Sequence, residues 1–134
     1  MKKKVATKGP NEKKNITKKE DFELFQKEFL NWVVRFGLQD WELLFIHDKI
    51  ASEARVDLFL EDKVAHVALS VDWADHEVNK DTISDAARHE AIHLALGMVD
   101  HLANNRFVSK RDLEIAVEDA VRRISHGIGS LIEE

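Results

Sequence analysis

The run His89-Glu90-Ala91-Ile92-His93 stands inside a helical stretch, Thr82 to Asn104. On a helix, residues four apart share a face and sit one turn above each other. That brings the two imidazoles close enough to hold one metal ion between them. Zinc suits such a pair, being borderline-soft and accepting neutral imidazole nitrogen. Glu90 lies beside both histidines and is placed to take a proton from a metal-bound water. Two histidines leave zinc short of ligands, so a catalytic site needs a third from elsewhere and an open fourth position for water. The competing reading is a solvated helix face that carries two histidines by chance; the apolar flanks of the motif weigh against it.

Upstream of this stretch, Thr17-Lys18-Lys19-Glu20 has capping-box spacing, with Thr17 as the cap and Glu20 reaching back. Phe22, Phe25, Phe29, Trp32, Val33 and Phe36 recur at threes and fours, the apolar stripe of an amphipathic helix that Gly37 ends. Trp41 to Asp48 reads as a mostly buried strand. Ala54, Val56, Leu58 and Leu60 alternate with polar neighbours as a half-buried strand. Across Glu61-Asp62-Lys63, the run Val64 to Trp73 alternates again, with Ala65, Val67, Leu69, Val71 and Trp73 on one face. Connections this short favour an antiparallel meander.

Downstream, Asp81 or Ser84 is a possible cap for the motif helix, and Gly97 loosens its last turns. After a turn at Asn104-Asn105-Arg106-Phe107, Ser109 caps a third helix with Leu113, Val117, Ala120, Ile124 and Ile128 as its stripe. Gly127 and Gly129 loosen its end. The expected fold class is α+β: helix, three-stranded antiparallel sheet, H-E-x-x-H helix and C-terminal helix.

With 134 residues the chain forms one domain with one modest core. It contains no cysteine, so neither a disulfide nor a thiolate metal site is open to it. Any metal falls to His, Asp or Glu, and a reducing, cytoplasmic setting is expected. No apolar run follows the basic start, so no secretion signal is expected, and no run is long enough to span a membrane. Residues 1–19 hold eight lysines against Glu12 alone, about +7, while the remainder carries 12 basic and 24 acidic residues, about −12. The leader 1–19 is expected to be disordered and the domain to occupy 20–134. The acidic domain argues against a nucleic-acid groove; only the leader offers weak attraction to nucleic acid.

An H-E-x-x-H helix after a small sheet, followed by a helix offering a glutamate, resembles the zincin metallopeptidases, and with glutamate third, their gluzincin branch. More narrowly, the chain is similar to small metallopeptidase-like proteins of bacteriophage and prophage genomes, where the last helix carries E-x-x-V. Here those residues are His89, Glu90, His93 and Glu118-Asp119-Ala120-Val121, and the likeness covers about residues 20–128. It implies a minimal zincin-like domain, zinc held by His89, His93 and Glu118, and Glu90 as general base. Glu114, one turn from Glu118, is the alternative on the same helix. A metzincin arrangement would draw the third ligand from His101, but Gly97 and His101 fall out of register; Asp100, seven residues past His93, returns to the histidine face. His47 and His66 read as strand residues, His76 and His126 as exposed ones.

The expected function is zinc-dependent hydrolysis of a peptide or protein substrate. An extended peptide would pair with a free sheet edge, for which Val64–Trp73 is the candidate. The alternative is a metal- or partner-binding domain that keeps a zincin-like shape without useful hydrolysis.

Overall fold

The computed structural model describes residues 15–105 and 107–133, with side chains through residue 129. In chain order the elements are α1 (Lys19–Arg35), β1 (Glu42–Asp48), β2 (Ala54–Phe59), β3 (Val64–Ser70), α2 (Lys80–Ala95), α3 (Gly97–Ala103) and α4 (Lys110–Glu133). The fold is α+β, with four helices and a three-stranded sheet among the described residues.

The aromatic stripe of α1 supplies the centre of the core: Phe25 and Phe29 are fully buried and Phe29 meets Phe45 of β1 edge-on. Gly37 ends the helix in the left-handed region, at φ 67°, and Leu38 N–H closes back on Val33 O at 2.8 Å. Its start differs from the sequence expectation. Lys18 is the cap, and its N–H donates to the Asp21 carboxylate at 2.8 Å. Thr17 turns instead into the fold, where it is buried and its hydroxyl donates to Ser70 O at 2.8 Å. The segment 15–17 runs antiparallel beside 71–73, with Thr17 N–H to Val71 O and Trp73 N–H to Asn15 O, each 2.9 Å. Residues 15–19, read from sequence as part of a disordered leader, thus belong to the folded unit; residues 1–14 lie outside the described part.

The sheet is mixed, not the antiparallel meander expected. Its strand order is β1-β3-β2, with β1 parallel to β3 and β2 antiparallel to β3. The link 49–53 has length enough to step across one strand position, a span of about 10 Å, so β2 lands two places from β1. The tight turn at 60–63, with Lys63 at φ 55°, then folds β3 back into the gap. Composition agrees with the central place: Ala65, Val67, Ala68, Leu69 and Ser70 of β3 are all buried. The strand expected at the edge is therefore the middle one, and the edges are β1 and β2.

The helices cover one face of the sheet. Leu43 and Phe45, Ala65, Val67 and Leu69, and Ala54, Val56 and Leu58 point into this layer, against Phe25, Phe29, Ile83, Ala87, Ala91 and Leu94. On the opposite face Leu44 and Phe59 are about half exposed.

The motif helix also departs from its expected extent. Asn79 caps α2, accepting from Thr82 N–H at 2.9 Å while Thr82 Oγ1 accepts from Asn79 N–H at 2.9 Å. The helix is interrupted at Leu96, and α3 starts at Gly97. A Cβ on Gly97 would stand 2.5 Å from Leu58 Cδ1, so glycine here permits close approach to β2. Ser109 caps α4 as expected, accepting from Asp112 N–H at 3.0 Å. The end of α4 is not loosened by its glycines, because the helix runs through both of them to Glu133.

Candidate active site

His89 and His93 project from one face of α2 and are exposed. Their Nε2 atoms stand 3.2 Å apart, with ring centroids at 4.8 Å and planes at 72°. Two nitrogens bound at about 2.0–2.1 Å to a tetrahedral zinc would be about 3.3–3.4 Å apart. The pair therefore fits the chord of one zinc ion.

Glu90, on the next position round the helix, is 8% exposed. Burial pushes its carboxyl above the usual carboxylate range, against the opposing pull of His89, His93 and the nearby Val56 backbone N–H. That N–H belongs to the free edge of β2. Ser70 N–H donates to Glu53 O at 2.8 Å, and the register pairs Arg55 with Ala68 and Asp57 with His66. Alternation along an antiparallel ladder then turns the backbone groups of Ala54, Val56 and Leu58 outward, towards α2. Glu90 faces that edge from the motif helix.

His89 and Glu90 open onto a cleft of about 750 Å³ between α2 and the segments 51–54 and 72–77. A second histidine–carboxylate pair stands in the far wall, with His76 Nδ1 2.8 Å from Glu53 Oε2. One buried tryptophan holds both positions: Trp73 Nε1–H donates to Glu53 O at 3.1 Å, and Trp73 O accepts from His76 N–H at 3.0 Å. Beside it Ala74 sits at φ 57°, a left-handed conformation costing an L-residue about 1 kcal/mol. It is held by Asp72 Oδ1, which accepts its N–H at 2.9 Å, and by Asn15 Nδ2, which donates to its carbonyl at 2.7 Å.

The third ligand expected from the resemblance is not brought to the pair. Ala116 and Ala120 are buried positions of α4, and Glu118, two residues from each, lies exposed on the opposite side of the helix. Glu114 is exposed as well. Asp100 and His101 line a different cleft, with Val56, Asp57 and Leu58 of β2. Among the described residues no three His, Asp or Glu side chains are grouped as metal ligands. Asp119 is held by Arg123, 2.9 Å away, which also reaches the carbonyls of Phe36 and Gly37.

Sequence reasoning passed over Asp85 and Glu53, and read His76 only as exposed, which it is. Asp85 had a legible signal, since it precedes His89 by one turn and shares its face; it also lines the cleft. Glu53 and His76 had none, because two separate segments meet only through Trp73. His47 and His66 are strand residues, as read. His47 stacks on Phe22 at 4.6 Å and its Nε2 lies 2.7 Å from Thr17 Oγ1. The chain matches no protein-family model, no curated protein and no solved structure.

Proposed function

We propose that the cleft is the site of a zinc-dependent peptidase with a minimal zincin-like fold. The observation that carries this reading is the 3.2 Å separation of the His89 and His93 nitrogens beside a buried Glu90 on a cleft wall. Zinc, when bound, supplies a Lewis acid that lowers the pKa of water and polarises a carbonyl. His89 and His93 hold it through Nε2. Glu90 accepts a proton from the attacking water as its oxygen bonds to the peptide carbonyl carbon. The same carboxyl then gives that proton to the departing amide nitrogen as the C–N bond breaks. A carboxyl raised by burial suits both transfers better than an ordinary one. Glu118, the third donor that the resemblance implies, would have to swing round from the exposed side of α4.

The test is metal content and hydrolysis measured together on variants of the untagged protein. Zinc is assayed by mass spectrometry after dialysis, and hydrolysis on a mixed peptide library. Glu90→Gln should keep the metal and lose hydrolysis; His89→Ala and His93→Ala should lose both. Loss of zinc from Glu118→Ala would make Glu118 the third ligand, and retention would place that donor elsewhere. A parent protein that holds zinc and cleaves nothing would contradict the peptidase reading.

One observation favours a second reading, a metal- or partner-binding domain without turnover. The Glu90 carboxyl is buried beside the Val56 N–H of the β2 edge, a placement that gives it a structural role without catalysis. Zinc held by a parent protein that cleaves nothing would decide for it.

A further inference from the structure

The cleft beside α2 is lined by six carboxylates, those of Glu53, Asp72, Asp75, Glu77, Asp85 and Glu90, and by no lysine or arginine. Two of the six lie beside His76, Glu53 at 2.8 Å and Asp75 at 3.8 Å, and a third, Asp85, pairs with Arg88 at 3.0 Å. Asp75 is almost wholly exposed, its side chain 97% accessible, and Glu77 is exposed too. These groups are spread along the walls. No three of them are grouped as the ligands of one metal ion would be. Dispersed negative charge along a cleft of about 750 Å³ matches a ligand whose positive charge is itself spread out along a chain.

The chain carries such a sequence immediately before Asn15. Residues 2–14 hold six lysines against Glu12, and they lead directly into Asn15, which is bonded to Trp73 and Ala74 of the cleft wall.

We propose that the cleft takes lysine-rich, extended peptide segments, which gives the substrate of the proposed peptidase its chemical class. The inference rests on the reading of this cleft as the substrate site, but its test needs neither metal nor turnover. The probe is a fluorescein-labelled peptide with the sequence of residues 2–14, compared with the same peptide bearing glutamate at every lysine. Binding is followed by fluorescence anisotropy at low and physiological salt, using the full chain carrying Glu90→Gln with the six lysines of its own residues 2–14 changed to glutamine, so that no tethered copy competes. The lysine peptide should bind, more weakly as salt rises, and the glutamate peptide should not. Asp75→Asn with Glu77→Gln, both exposed and so harmless to folding, should weaken binding by roughly three- to tenfold. Glu61→Gln with Asp62→Asn, at the opposite end of the sheet, should leave it unchanged. Equal binding of both peptides, no binding of the lysine peptide, or equal weakening by the two double variants would each overturn the proposal. Hydrolysis of neutral or acidic peptides alongside any of these results would leave the peptidase reading standing and remove only the substrate class.

Discussion

Glu90 serves two demands at one position, the chemistry of the cleft and the polar lining of α2 where it faces the β2 edge. Glu90→Gln keeps the size of the side chain and an oxygen beside the Val56 N–H, so this variant should melt close to the parent. Glu90→Ala removes a nearly buried polar side chain from beside that N–H, at a cost of about 1–3 kcal/mol. Denaturant unfolding of the two variants separates the roles; equal stability would mean that the polar group at the edge contributes nothing. His47 supports a second prediction. Burial lowers its affinity for protons, opposed by Asp21 and Asp48. The ring stacks on Phe22, and since the Thr17 hydroxyl donates to Ser70, the neutral ring donates to Thr17 through Nε2–H. A histidine whose folded pKa is depressed takes up its proton first in the unfolded chain. Stability should therefore fall as pH drops below about 6.5 and be fully present above it. His47→Gln should show a smaller drop in melting temperature between pH 7.5 and pH 5.5 than the parent, whereas equal drops would contradict the assignment. At this scale the motif was legible because three of its residues lie within one helical turn and a half. The Glu53–His76 wall was not, since nothing local in either segment announces the tryptophan that joins them.

The glycines of α4 show how an element's sequence misleads until its neighbours are known. Both read as helix-weakening, yet only one has a packing reason to be glycine. A Cβ at Gly127 would stand 2.3 Å from Phe36 Cε1, a ring that is 3% exposed, whereas one at Gly129 meets nothing within 4 Å. Gly127→Ala should therefore destabilise by about 1–2 kcal/mol, overpacking outweighing the gain in helix propensity. Gly129→Ala should stabilise by up to about 1 kcal/mol. Denaturant melts of the two variants give the signs, and matching signs would contradict the packing described. The strand extents were legible nearly to the residue, β1 from its apolar run and β2 from alternation, but β1 is part-exposed and not the mostly buried strand expected, because it lies at a sheet edge. Their order was not, because alternation reports which face is buried and says nothing of which strand lies beside which. The buried small residues Ala68 and Ser70 on the second face of β3 were the one trace of its central place. The break between α2 and α3 was half visible in Gly97, whose reason, the approach of Leu58, is a tertiary contact.

Across the whole molecule, the sheet places α2 so that His89 opens on a cleft and Glu90 faces a strand edge. The first described residues complete that cleft, since Asn15 holds Ala74 and Thr17 is buried against Ser70. Removing residues 1–17 should lower the melting temperature by roughly 5 °C or more relative to a chain that starts at Asn15. Equal melting temperatures would show that the bridge between 15–17 and 71–73 is dispensable. The central claim, that α2 presents a metal-binding pair, is tested most directly by the zinc content of the untagged protein after dialysis, measured beside His89→Ala. One zinc per chain in the parent and almost none in the variant is the predicted result. A parent without zinc, or a variant that retains it, would contradict the account.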